Sequence, residues 1–126
     1  MKTAHELVMQ AKASIREVAP DEAAQWVARG ALLLDVREPD EYRTARVKGA
    51  VNVPRGMLEF RIADVLEGKP SDAPLCVYCK TGGRAALAAQ TLQVMGYTQI
   101  ISIAGGIDGL ANSPLPIERE SLPDFE

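Results

Sequence analysis

Four short apolar runs recur along the chain, at residues 31–36, 51–53, 75–78 and 99–103, and each leads into a turn or a helical stretch. The first is apolar at nearly every position rather than at alternate ones. Runs of this kind mark strands buried on both faces. Strands that alternate with helices require a mostly parallel sheet with helices on both faces, because each parallel connection must cross over to start the next strand. The expected fold class is α/β. In such sheets ligands bind beyond the carboxyl ends of the strands, which directs attention to the segments after Val36, Val53 and Tyr78.

The segments between the runs carry helix signals. Residues 3–17 read as an amphipathic helix with Leu7, Ala11, Ile15 and Val18 near one face. Pro20, Asp21 and Glu22 suit the first turn of a helix reaching about residue 28, with Gly30 as its cap. Residues 39–42 form a short helical turn. Pro54 ends the second strand and opens a helix on which Leu58, Ile62, Val65 and Leu66 share a face, closed by Gly68. Residues 84–95 are alanine-rich and end at Gly96, and Gly105 and Gly106 lead into a last short helix to about residue 111. The 126 residues fit one domain, with no internal repeat and no dividing linker.

Composition removes several function classes. The chain holds one histidine, His5, in a segment that reads as a surface helix, and two cysteines. A hydrolytic triad would have to use that histidine. Two Cys and one His cannot supply four zinc ligands, nor build a disulfide framework. The net charge of −3 comes entirely from the carboxylates Glu118, Glu120, Asp124 and Glu126 set against Arg119. The body before them is neutral and gives no reason to expect nucleic acid. No apolar run approaches the ~18 residues of a membrane span, and the first twenty residues lack a signal-peptide stretch, so a cytoplasmic chain without membrane partners is expected.

The segment that carries chemistry is Cys79-Lys80-Thr81-Gly82-Gly83-Arg84, between the strand ending at Tyr78 and the alanine-rich helix. A strand, a glycine-bearing loop and a helix N-terminus together make an anion cradle of inward N–H groups. A cysteine there has its thiolate stabilised and becomes a nucleophile. Lys80 and Arg84 add positive charge, and the two glycines let the backbone approach a bound group. Cys76 stands three residues earlier, but three residues of strand cover ~10 Å, too far for a disulfide. It reads as a small core thiol.

These residues resemble the rhodanese family. The resemblance is carried by Cys79 to Arg84, by Leu33-Leu34-Asp35-Val36-Arg37-Glu38-Pro39 with Glu41-Tyr42, by Gly49-Ala50-Val51-Asn52-Val53-Pro54, by Met95-Gly96-Tyr97 and by Ala104-Gly105-Gly106-Ile107. It spans residues 15–117, leaving 1–14 as an N-terminal helical extension and 118–126 as an acidic, loosely ordered tail. It implies a five-stranded, mostly parallel sheet with an extra short strand near residues 16–18. It also implies a sulfurtransferase in which Cys79 takes sulfane sulfur from thiosulfate or a related donor and passes it, as a persulfide, to cyanide or a thiol acceptor. No metal and no cofactor beyond that covalent intermediate are implied. Lys80, Thr81, Gly82, Gly83 and Arg84 would bind substrate, and Asp35 and Arg37 would brace neighbouring loops. Arg55, at another strand end, either reaches an anion in the mouth of the site or stands as a solvated first-turn arginine.

Two positions depart from the family pattern. Arg46 replaces a frequent histidine, and Leu110 stands where a tryptophan is common, a repacking that a leucine can accommodate. Two other functions compete. One is a protein-to-protein persulfide carrier or rhodanese-fold binding module. The other is a phosphatase or arsenate reductase of related fold, whose sites use Cys, five residues and Arg; here Cys79 and Arg84 enclose four.

Overall fold

The computed structural model describes residues 1–120. The chain runs α1 (Ala4–Ser14), β1 (Glu17–Val18), α2 (Pro20–Ala28), β2 (Leu32–Asp35), α3 (Pro39–Thr44), β3 (Ala45–Val47), β4 (Val51–Asn52), a 3-10 turn (Arg55–Met57) and α4 (Leu58–Val65). It continues through β5 (Leu75–Tyr78), α5 (Gly83–Val94), β6 (Ile100–Ile103), a second 3-10 turn (Ile107–Gly109) and β7 (Ile117–Arg119). Five strands form one sheet in the order β1-β6-β5-β2-β4, with every pairing parallel. The expected sheet is present, including the short strand implied by the family resemblance, at Glu17–Val18.

Strand alternation sorts the core into two layers. On one face Leu34, Val36, Leu75, Val77 and Cys79 pack against Leu58 and Ile62 of α4 and against Ala85, Ala88, Ala89 and Leu92 of α5. Alanines let α5 lie close against the sheet: Ala85, Ala86, Ala88 and Ala89 are fully buried. On the other face Leu33, Cys76, Tyr78, Ile101 and Ile103 meet Ala23 of α2, Val47, Leu110 and Leu115. Leu110 fills its core position at 1% exposure, and Trp26 is half-buried at the edge of the same layer, with Arg16 over its ring.

Three sequence expectations need correction. The first helix ends at Ser14 rather than at residue 17, because β1 claims Glu17 and Val18 for the sheet edge. The segment read as a turn at 39–42 is a helix to Thr44, followed by a strand the sequence did not announce: β3 pairs antiparallel with β7. That pairing draws Glu118 and Arg119 into order, so the loosely ordered tail cannot begin at residue 118. Arg46 Nε lies 3.2 Å from Glu118 and its guanidinium stacks over the Tyr42 ring. The rest of the acidic tail, residues 121–126, falls outside the described residues.

Candidate active site

At the carboxyl end of β2, Asp35 and Arg37 form a buried ion pair, Nη2 to Oδ2 at 2.7 Å, with both residues under 5% exposed. Arg37 also donates to the Ala45 carbonyl at 2.6 Å, and Asn52 Nδ2 donates to the carbonyls of Asp35 and Arg37. The pair ties together the ends of β2, β3 and β4. Tyr78, the last residue of β5, accepts the Val47 N–H at its hydroxyl, and burial raises its pKa well above the ordinary value.

β5 delivers Cys79 to the base of the loop at 1% exposure. Its Sγ accepts N–H groups from Gly82 at 3.1 Å and Ala85 at 3.3 Å. Helix α5 has no side-chain cap from its N-cap residue, Gly82, and the cysteine sulfur takes up N–H groups of its opening turn instead. Gly82 is left-handed at φ 118°, the turn that aims its N–H back at the sulfur. From behind, the segment after β6 pins the loop: Ile107 N–H donates to the Cys79 carbonyl at 2.9 Å and Asp108 N–H to the Lys80 carbonyl at 3.1 Å. Gly106, at φ 58°, makes this approach possible, since a Cβ there would stand 2.5 Å from the Cys79 carbonyl oxygen.

The rim of the loop is not the bare cationic surface that Lys80 and Arg84 suggest in the sequence. Arg84 forms a two-pronged contact with Glu41 of α3, at 2.6 and 3.0 Å. Those hydrogen bonds hold the Glu41 carboxyl down at about 2, helped by the Glu38 N–H, against the opposing effect of burial. Lys80 Nζ lies 2.9 Å from Asp108, both more than half exposed. A third pair, Lys12 with Glu17 at 3.3 Å, stands beside Gly82. Each rim cation is matched by a carboxylate. Thr81 is exposed at the loop's crest, and Gly83 begins α5.

Beside the rim opens a cleft of about 610 Å³ lined by Arg37, Glu41, Thr44, Lys80, Asp108 and Arg119 among others. Arg55 does not join the site. Its guanidinium contacts Glu59 and the hydroxyl of Thr91, about 12 Å along α5 from the loop. Cys76 is fully buried on the opposite face of the sheet from Cys79, and burial pushes its thiol up to about 12. Both cysteines are free thiols.

Sequence reasoning missed Glu41, Asp108, Lys12 and Glu17 as neighbours of the loop. Glu41 carried a signal, three residues after Glu38 at a helix start, but nothing in the sequence linked it to Arg84 43 positions away. Lys12 and Glu17 carried none.

The family model for the rhodanese-like domain matches residues 19–113. The thiosulfate sulfurtransferase GlpE of Haemophilus influenzae is 31% identical over 107 residues, covering 83% of this chain and 96% of that protein. An uncharacterized Bacillus subtilis protein is 38% identical over 78 residues, of which this chain spans 59% of the length. Among solved structures, the polysulfide-sulfur transferase of Wolinella succinogenes superposes with a TM-score of 0.73 at 34% identity, covering 89% of this chain and 84% of that one. A Rhodopseudomonas palustris protein of unknown function, described as a possible tyrosine phosphatase, gives 0.78 at 30% identity, covering 94% and 96%. The chain belongs to the rhodanese-like family of sulfurtransferases.

Proposed function

We propose that the protein transfers sulfane sulfur through a persulfide on Cys79, with thiosulfate or a related small donor on one side and cyanide or a thiol on the other. The observation that carries this reading is the pair of N–H donors from Gly82 and Ala85 directed at Cys79 Sγ. They lie where an anionic sulfur, whether the attacking thiolate or the persulfide, would need hydrogen-bond support. The thiolate displaces sulfite from thiosulfate: the new S–S bond forms as the donor's S–S bond breaks, and the bonding pair leaves with sulfite. An acceptor thiolate or cyanide then attacks the outer sulfur and regenerates the Cys79 thiolate. Neither step needs a histidine base.

Lys80, Thr81, Gly82, Gly83 and Arg84 bind the donor in this reading, chiefly through the loop amides, with Lys80 at the mouth. Arg84 acts while tied to Glu41, so its first contribution is to hold α3 against the loop. In this reading an acceptor approaches through the cleft beside Lys80. Similarity to the thiosulfate and polysulfide enzymes supports this reading. A protein-to-protein carrier would use the same Cys79 chemistry with a persulfide-bearing protein as donor.

Mass spectrometry of intact protein after incubation with thiosulfate tests the reading. One added sulfur, about 32 Da, is expected on the wild type and on Cys76→Ala, and none on Cys79→Ser. Loading that survives Cys79→Ser overturns the assignment. Cys79-dependent hydrolysis of an aryl phosphate, without sulfur loading, would favour instead the phosphatase reading attached to the Rhodopseudomonas palustris protein.

A further inference from the structure

Helix α1 precedes the family match, which begins at residue 19, yet it packs on the helix that opens from the Cys79 loop. Its residues Val8, Ala11 and Lys12 share one face, as the i, i+3 and i, i+4 spacing dictates. Ala11 is fully buried, and Val8 Cγ2 comes to 3.5 Å from where a Cβ on Gly83 would stand. One turn further along that face, Lys12 Nζ is 3.8 Å from the Cβ position of Gly82, the residue whose N–H donates to Cys79 Sγ. Glu17 Oε2 is 3.7 Å from the same position and 3.3 Å from the ammonium. This chain therefore supplies, from α1 and β1, both ahead of the matched residues, one charge of each sign at the shoulder of the nucleophile's loop.

We propose that Lys12 is a specificity-determining residue for Cys79, favouring anionic over neutral reactants, and that Glu17 restrains that preference. The contacts through Gly82 place the ammonium within about one Debye length (~10 Å at 0.1 M salt) of the sulfur. Neither side chain is more than a third exposed, so water screens them incompletely. Helix α5 fixes the distance, because α1 is packed against it rather than tethered by a loop. An approaching dianion meets an attractive charge and a repulsive one whose effects largely offset each other, and removing either shifts the balance in a known direction. In its biological sense the inference rests on the sulfurtransferase reading, with an anionic sulfur donor as the favoured class. Its test does not.

Full-length wild type, Lys12→Gln, Lys12→Arg and Glu17→Gln are compared for the rate of Cys79 alkylation by iodoacetate, an anion, and iodoacetamide, its neutral counterpart. Peptide mass assigns the label. Lys12→Gln is expected to lower the iodoacetate-to-iodoacetamide ratio about two- to fivefold, Glu17→Gln to raise it by a similar factor, and Lys12→Arg to leave it near wild type. A purely structural ion pair would give the opposite pattern: breaking it from either side would move both variants the same way. Shifts in the same direction, unchanged ratios, or a Cys79 that neither reagent reaches would overturn the assignment. With thiosulfate, the same variants are expected to move KM up for Lys12→Gln and down for Glu17→Gln, with kcat within about twofold. If the alkylation ratios behave as stated while thiosulfate leaves no sulfur on Cys79, the sulfurtransferase reading fails and the role of Lys12 stands.

Discussion

Cys76 and Cys79 show how strand alternation alone can give two identical side chains different chemistry. Both are buried, but Cys76 faces an apolar layer that pushes its thiol up to about 12, whereas Cys79 receives two N–H groups. Cys76→Ala is therefore expected to cost on the order of 1 kcal/mol in denaturant melts and to leave Cys79 reactivity unchanged. Glu41 offers a second prediction at this scale. Its contact with Arg84 lowers the carboxyl from 4.5 to about 2 on folding. A depressed carboxyl stabilises the fold above its unfolded pKa, and that contribution disappears as pH falls through the folded value. Urea melts of Glu41→Gln between pH 5 and 2 are expected to show a shallower acid decline than the wild type. An equally steep decline would mean that the Arg84 contact contributes nothing in solution.

At the scale of elements, the Cys79 segment was legible in the sequence because its signals are local. The apolar strand Leu75–Tyr78, the glycines and the alanine-rich helix follow one another without a gap, and the structure places each within a residue of its expected bounds. The β3–β7 pair was not legible. Its strands are three residues each, lie some seventy positions apart, and include Arg46 and Glu118 where an apolar pattern would have given them away. The role of Arg55 stayed open in the sequence for a related reason: a position just beyond a strand end does not fix which way a long side chain turns. The segment after β6 also supports the loop through the narrow fit at Gly106. Gly106→Ala would place a Cβ against the carbonyls of Cys79 and Lys80 in a backbone region that favours glycine. The substitution is expected to cost on the order of 1–3 kcal/mol in thermal melts and to abolish Cys79 reactivity by displacing the loop. Wild-type reactivity in that variant would show the loop held by other contacts.

For the whole molecule, net charge was a poor guide in both directions. The −3 belongs to the chain's end, and the expected positive rim proves to be three matched pairs, Lys12–Glu17, Lys80–Asp108 and Arg84–Glu41. The partners come from α1, β1, α3 and the turn after β6, so only the folded chain brings them together. A balanced rim has a kinetic signature. The rate of Cys79 loading by thiosulfate is expected to change less than about threefold between 50 and 500 mM salt, whereas an open cationic pocket would lose far more. The sheet itself has a further consequence. It stands between the two sulfurs of the chain, so an oxidised Cys79 has no partner it can reach without unfolding. Relief from oxidation must come from a thiol arriving out of solution, and the reducing power of the surroundings, rather than any device inside the fold, sets how long Cys79 stays blocked.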